Sequence, residues 1–507
     1  PPPAQEKPPS VGGTARRRRG PQTQKPQPDG GTGLSCAAVF ASLAAGRLIA
    51  GEGRRELLPG LLAGAENFHY NGDNRDLRER GEKQGMKRSK GAALAALCGL
   101  LCALTACQLP QEPQAVDEPA VSAWAEGSQT TEEKPEPEPA PLPEPEPLTQ
   151  EEAEQILEEV MAGSSAVGVS LAVIEDGEVG ASAAWGWAVR GERPMTADTK
   201  IRAASLSKTA VGLCAMAMAE DGLADLDAPL GTYWGEGVRD PYAQTQPSIR
   251  TLMAHASGLK DFGVTRGLSK LRGTLSSASA WRNVEPGTPE AWYYSNFGVC
   301  VLGTTLELSS GQLLDSYFQS RFLEPMGIRA SLHAGKLEAE EVAVLYDAYG
   351  NVQRTQGQQT GQTVPDEIGL GASYYPGGLT ISAVDLAKLV SILAGDGMYN
   401  GTAFLSAQSV EEMETVQFSV DPGDGTAPFD QCLILRRQEN LLGREELYYH
   451  TGSAYGVYAL LSYDPNTGDG VVVITTGAPR QVDDRGLYQL CARLSEQLYA
   501  AMEEHEA

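Results

Sequence analysis

The chain is 507 residues long, 41% hydrophobic and 21% charged, with a formal net charge of −26. That is enough for a large core and one to three domains, and the acidic balance argues against a nucleic-acid partner, which needs clustered Lys and Arg. Part of the acidity is local: between Cys107 and Gln150 there are ten Asp/Glu, ten prolines and one Lys.

Residues 1–85 include "ARRRRG", show no sustained periodicity and contain no methionine; all ten methionines lie at Met86 or later. We read 1–85 as upstream sequence outside the mature protein, with translation starting at Met86; a fragment of a longer protein is the competing reading. Met86 to Lys90 is a basic stretch, Gly91 to Ala103 is apolar, and Leu104-Thr105-Ala106-Cys107 has the form of a lipobox, the order of a secretory signal peptide over 86–106. The apolar run of about 14 residues is short of the ~20 that a spanning helix needs. A buried core helix would leave the basic flank and the small residues before Cys107 unexplained. The segment resembles a bacterial lipoprotein precursor, which implies a diacylglyceryl group on Cys107 and attachment to the extracytoplasmic face of the cell membrane. Residues 107–148 then read as a Pro/Glu-rich tether, extended at ~3.1 Å per residue and so reaching on the order of 100 Å.

The globular domain is expected over 149–507. "TQEEAEQILEEVMA" fits a capped amphipathic helix, and "VGVSLAVIEDGEVGASAAWGWAV" a β-hairpin about Asp176-Gly177. After "ASLSKTA" comes a helix. "SIRTLMAHA" and "FGVCVLGTTLELSSG" give helical patterns in the middle of the chain. "SAVDLAKLVSILAGDG" is a helix ended by glycine. "EELYYHTGSAYGVYALLSYDPNTGDGVVVITTGA" reads as two or three strands, and "DRGLYQLCARLSEQLYAAMEE" as a closing helix. Strands at both ends can meet in one sheet, with the helical middle as an insertion. Cys214, Cys300, Cys432 and Cys491 lie far apart in apolar contexts and read as buried free thiols. No Cys or His spacing suggests a metal site, and no cofactor is expected.

The chemistry begins at Ser205. A serine hydroxyl needs an adjacent base to act as a nucleophile. Lys208, one helical turn on, lies on the same face and can serve if burial or a nearby cation lowers its pKa from ~10.4. A second match, Ser257 and Lys260, has Gly258 where a helix would be needed. Tyr294-Ser295-Asn296 offers a proton relay in Tyr294 and, in Asn296, a side chain to hold an amide carbonyl or pin a lysine. Its rival, Tyr349-Gly350-Asn351, reads as a turn. His450-Thr451-Gly452-Ser453 lies in a strand-like segment. There the Ser453 N–H would join the Ser205 N–H as oxyanion donors, Thr451 would contact substrate, Gly452 would let a substrate backbone approach, and His450 would tune Tyr294 or bind substrate. Its rival is His333-Ala334-Gly335.

S-x-x-K, Y-x-N and [K/H]-T-G in that order resemble the serine β-lactamase and penicillin-binding-protein superfamily, most closely its class C β-lactamase-related group. "IRAASLSKTAVG", "LMAHASGL", "PGTPEAWYYSNFG", "YYPGGLTISAVDLAKL" and "YYHTGSAYGVYALLSYDP" resemble its landmarks across about residues 150–500. The resemblance implies an α/β fold with an antiparallel sheet flanked by helices and an inserted all-helical subdomain. It also implies an acyl-enzyme on Ser205 with Lys208 and Tyr294 as the acid/base pair. Two departures stand out. Ser207 occupies a position where threonine is common, and His450 stands where β-lactamases usually carry lysine, which weakens the anchoring of a substrate carboxylate. The expectation is an exported, membrane-tethered serine hydrolase acting on a small-molecule or peptide substrate, with D-amino-acid material derived from peptidoglycan fitting its location. The alternatives are a class C-like β-lactamase and a penicillin-recognising receptor domain without turnover.

Overall fold

The computed structural model describes residues 146–506. The expected upstream segment, signal peptide, lipidated Cys107 and nearly all of the expected tether lie outside these residues. Leu148, assigned to the tether by its composition, is buried and donates its N–H to the Glu175 carboxylate at 2.9 Å. The fold therefore takes hold just before helix α1 (Gln150–Met161). Thr149 and Glu152 close a reciprocal capping box at its N-terminus.

Strands β1 (Gly168–Glu175) and β2 (Glu178–Val189) form the expected hairpin, with Asp176 and Gly177 both at positive φ, as a two-residue turn of matching twist requires. β3 (Arg193–Pro194) and β4 (Ile201–Arg202) lead into a 3-10 turn, Ala204–Leu206, and helix α2 (Ser207–Glu220). The helical middle holds α3 (Gly231–Trp234), α4 (Ile249–Met253), α5 (Leu268–Leu275), α6 (Asn296–Ser310) and α7 (Leu314–Phe318). A connecting region follows, with β5 (Leu345–Tyr346), β6 (Val352–Arg354), α8 (Gln356–Thr360) and β7 (Thr380–Ile381). Then come α9 (Ala383–Ala394), β8 (Met398–Tyr399), β9 (Thr402–Ala403) and α10 (Ala407–Glu414). The chain closes with β10 (Phe418–Val420), β11 (Phe429–Gln431), β12 (Arg436–Leu441), β13 (Arg444–Ala454), β14 (Val457–Tyr463), β15 (Gly470–Thr476) and α11 (Gln489–Glu506).

One antiparallel sheet runs in the order β10-β11-β12-β13-β14-β15-β1-β2-β3, so the two ends of the domain meet where β15 pairs with β1, Thr476 opposite Gly168. Period-two alternation sends the side chains of these central strands into two cores. Val169, Leu171, Val173, Val471 and Val473 pack under α1 and α11. Ala172, Ile174, Val472 and Ile474 pack against α2, α9 and the helical region. This is the β-lactamase-like architecture that the motifs imply. The four described cysteines are buried and free. Among the described residues, no helix is long and apolar enough to cross a membrane.

Two helix expectations shorten. "SIRTLMAHA" yields only the five residues of α4, because the chain turns at His255, whose φ is +55°. The last helix begins at Gln489 rather than near Asp484. The Asp483 carboxylate accepts the N–H groups of Arg485 and Leu487 and holds that stretch as a turn.

Candidate active site

Ser205 lies in the 3-10 turn between β4 and α2, 5% exposed. Ala204 before it has φ +51°, a left-handed value that a non-glycine residue keeps only where its surroundings impose it. The imposition is visible. Ser207 Oγ donates to the Ala204 carbonyl at 2.6 Å and accepts the Leu379 N–H at 2.9 Å, while Ala203 N–H donates to the Leu379 carbonyl at 2.8 Å. Ser207, off the nucleophile's face in the sequence, thus ties the Ser205 turn to the segment before β7.

Lys208, one turn into α2, is fully buried. Its Nζ lies 3.1 Å from Ser205 Oγ, 3.0 Å from Asn296 Oδ1 and 2.8 Å from the Pro376 carbonyl. Tyr294 donates its hydroxyl to Ser205 Oγ at 2.9 Å. The Tyr294-Asn296 pair is delivered by the start of α6, where Ser295 caps Gly298 N–H and the Asp261 carboxylate accepts Phe297 N–H. Every Lys208 partner is neutral. Burial, the largest cause, and the Arg436 charge bring its pKa down to about 7. A neutral amine keeps two N–H donors for the carbonyls of Asn296 and Pro376 and turns its lone pair to the Ser205 O–H, the geometry of a general base. Burial raises the Tyr294 phenol, which therefore keeps its proton at neutral pH.

The edge of β13 forms the facing wall. β12 pairs with β13 only as far as Tyr449, so residues 450–454 leave one edge open. Tyr455 and Gly456, both at positive φ, close the β13–β14 hairpin on the pair Ala454–Val457. Ladder bonds alternate from there, so Ser453 turns its N–H to the open edge. Among the described residues, no group accepts the Ser205 N–H. Both nominated oxyanion donors are thus free to meet a substrate. Thr451 is half-buried on this strand, and its carbonyl accepts His450 Nδ1–H at 2.7 Å. His450 is 4% exposed, and burial, Lys208 and Arg436 drop its pKa to about 3, so the ring is neutral and carries no anchoring charge. Gly452 departs from the expectation. A Cβ there would lie 2.8 Å from the Ala203 carbonyl and 3.3 Å from Leu206. Its bareness lets β13 close on the Ser205 turn rather than making room for substrate.

The rival motifs lie elsewhere. Gly258, at φ +76°, breaks the Ser257–Lys260 register, and Lys260 Nζ bonds the Ser279 carbonyl at the surface. Tyr349 is 89% exposed in the β5–β6 turn. His333 accepts Gly335 N–H in its own turn.

Two site residues were not singled out from the sequence. His255 packs against Tyr294 with ring centroids 4.6 Å apart and planes tilted by 45°, and burial and Lys208 hold it neutral. Arg436, on β12 opposite Tyr449, bears on Lys208, His255, Tyr294 and His450. Its neighbour Arg437 pairs with Asp430, Glu439 and Glu446 on the other strand face. Arg436 lies over the Phe429 ring at 4.3 Å and, among the described residues, makes no ion pair. Strand alternation would separate the two arginines, and the acids two and nine residues beyond Arg437 match only the second.

The family model described as Beta-lactamase matches residues 153–493. The chain is similar to a D-aminopeptidase of Brucella anthropi, 29% identical over 171 residues, 31% of either protein. It thus spans about a third of that curated relative's length. It is also similar to penicillin-binding protein 4 of Amycolatopsis lactamdurans, 25% identical over 326 residues, 61% of this chain and 81% of that one. Among solved structures, D-amino acid amidase from Ochrobactrum anthropi SV3 superposes with a TM-score of 0.54 at 23% identity, covering 70% of this chain and 98% of the other.

Proposed function

Since the chain belongs to the beta-lactamase family of serine hydrolases, we propose that it hydrolyses an amide or ester bond through an acyl-enzyme on Ser205. The observation that carries this is the Ser205 hydroxyl held at 3.1 Å from a buried, charge-poor Lys208 and at 2.9 Å from Tyr294. Neutral Lys208 takes the Ser205 proton as Oγ bonds to the substrate carbonyl carbon. The oxyanion gathers against the N–H groups of Ser205 and Ser453. As the carbonyl carbon parts from the leaving nitrogen or oxygen, Tyr294 gives that atom its proton, and the proton held on Lys208 restores the phenol. Water then attacks the ester carbon, its proton passes to the Lys208–Tyr294 pair, and Ser205 leaves as the hydroxyl. Asn296 pins Lys208 with its oxygen and has an NH₂ left for a substrate carbonyl.

Arg436 supports a substrate whose leaving portion ends in a carboxylate, such as a D-amino-acid peptide from cell-wall material. The D-amino-acid relatives point the same way. A second reading, a β-lactamase, draws on the same cation, since a β-lactam also presents a carboxylate; the neutral His450 weighs against it. We also propose a lipid anchor at Cys107 that holds the enzyme on the outer face of the cell membrane, tested by lipid labelling that Cys107→Ser abolishes.

The decisive experiment labels the purified protein with a fluorophosphonate and with a fluorescent penicillin, alongside Ser205→Ala. Serine labelling that is lost in the variant, with ester or peptide turnover, is expected. Neither label nor turnover in the wild type sinks the hydrolase reading, and penicillin labelling without turnover favours a receptor.

A further inference from the structure

Beyond Ser453 the open edge of β13 ends in a second group of cations. Tyr455, half-buried, sits in the hairpin turn at φ +53°, a conformation that glycine or asparagine takes readily and an aromatic residue does not. Two guanidinium groups lie against its ring, Arg354 at 4.2 Å and Arg202 at 5.2 Å from the ring centroid. Arg202 precedes Ser205 by three residues. Arg354 ends β6.

Neither arginine has an acid. Among the described residues, no carboxylate forms an ion pair with Arg202 or Arg354; Arg354 Nη1 bonds only the Gln353 carbonyl, and the buried Nε of Arg202 has no hydrogen-bond partner. Burial, the largest cause, disfavours the charged form of Arg202, Tyr455 and Tyr374 favour it, and the Arg354 charge opposes it to a smaller degree. In a chain with 66 acidic side chains, two like charges on one ring, one with a buried Nε that bonds nothing, form a costly arrangement. A strained turn residue held at the same place is a second cost. Such costs collect where a ligand supplies the missing charge.

The place is specific. β4 and β13 close on each other where Gly452 meets the Ala203 carbonyl, so Arg202 and Tyr455 flank the contact on which the Ser205 turn rests. Arg436 stands at the other end of the open edge, opposite Tyr449. From Tyr449 to Tyr455 is six residues, roughly 20 Å of extended strand. A peptide pairing antiparallel with the open edge of β13, its scissile carbonyl at Ser205, would have its leaving end toward Arg436 and its acyl end toward Arg202 and Arg354.

We propose that Arg202, Tyr455 and Arg354 form a subsite for a carboxylate in the acyl portion of the substrate. The enzyme would then select peptides or esters that carry a free acid on the side that becomes the acyl-enzyme. This deepens the hydrolase reading and rests on it for the word substrate, though the subsite can be tested without turnover.

The test uses two esters of equal length, mono-p-nitrophenyl adipate and its terminal amide. In the wild type, kcat/KM is expected to favour the carboxylate ester roughly ten-fold, the order of one charge-assisted contact. The ratio should fall toward one in Arg354→Gln and in Arg202→Gln, recover in part in Arg354→Lys, and shrink in high salt. Both arginines are half-buried, but only Arg202 has a buried Nε, so the Arg354 variants are expected to fold even if Arg202→Gln does not. In parallel, calorimetry measures binding of both esters to Ser205→Ala, with and without Arg354→Gln. No preference for the acid in either arm, or a preference that survives Arg354→Gln, overturns the subsite. Preferential binding without any turnover by the wild type would keep the subsite and sink the hydrolase reading.

Discussion

Lys208 and Arg444 are both buried cations, and their surroundings are opposites. Arg444, at the start of β13, is 8% exposed, with Nη2 2.8 Å from the Asp469 carboxylate and its guanidinium 5.2 Å from the centre of the Tyr499 ring. The pair joins β13 to the turn before β15 under α11. Lys208 is 0% exposed, and its Nζ bonds a hydroxyl and two carbonyls and lies 4.9 Å from the centre of the Tyr294 ring, with no carboxylate paired to it among the described residues. A matched charge fixes two strands. An unmatched one is held near the point of losing its proton, which is useful only if the proton is to move.

The largest expected effect breaks the unmatched side. Lys208→Met keeps the volume and removes the base, so kcat/KM for a p-nitrophenyl ester should fall about 10³-fold or more. Stability in urea should hold or rise, because a desolvated charge has gone. A loss of folding with intact specific activity would reverse the comparison. The matched side should respond the other way. Asp469→Ala leaves Arg444 buried and alone and should cost about 3–5 kcal/mol of stability, read from urea midpoints, with Ser205 labelling unchanged in the folded fraction. Replacing both partners by apolar residues should recover most of the loss.

The pH profile sharpens the same contrast. Activity needs neutral Lys208, whose pKa is about 7. kcat/KM should therefore be low at pH 5, rise through an apparent pKa near 7 and level off by pH 9. A flat profile over that range would exclude Lys208 as the titrating base. His450→Lys places a cation against the same site, 6.5 Å from Tyr294 measured between ring centres in the native protein. It should move the limb to lower pH by repulsion and raise acylation by a fluorescent penicillin roughly ten-fold through its charge. Unchanged penicillin labelling in a folded variant would mean that Arg436 already supplies all the anchoring the pocket uses.

The centre of the sheet was legible because its strands are apolar on both faces and its first hairpin turns at Asp176-Gly177, whereas the short strands β3, β10, β11 and β12 were not read from the sequence. The proximity of Ser205 and Lys208 was legible because i,i+3 on a helix is a local fact. Tyr294 and Asn296 entered through motif order, since nothing local reports that α6 starts beside α2. Arg436 and His255 stayed hidden for a related reason. Their relevance lies in which strand face or turn conformation carries them, and a positive φ at His255 has no sequence mark. Gly452 was read for the right property and the wrong neighbour: its bareness admits the protein's own backbone. Leu148 shows the converse limit of composition, a single apolar residue at the end of an acidic, proline-rich run that the core nevertheless takes in.

The smallest effect concerns an acid in the position that Lys208 holds among bases. Glu414, at the end of α10, is half-buried, accepts the Tyr463 hydroxyl at 2.7 Å and is raised by burial from 4.5 to about 7. A carboxyl whose folded-state pKa lies above its unfolded value stabilises the fold while protonated. That contribution is complete below pH 4.5 and is lost as pH rises through about 7. Glu414→Gln keeps an acceptor for Tyr463 and removes the titration. Relative to this variant, the wild type should lose about 1 kcal/mol between pH 5 and pH 8, a figure reduced for its partial exposure. Urea midpoints of the two proteins at both pH values measure it. Parallel changes would mean that Glu414 titrates as a surface acid and that, of Glu414 and Lys208, only Lys208 is held away from its ordinary state.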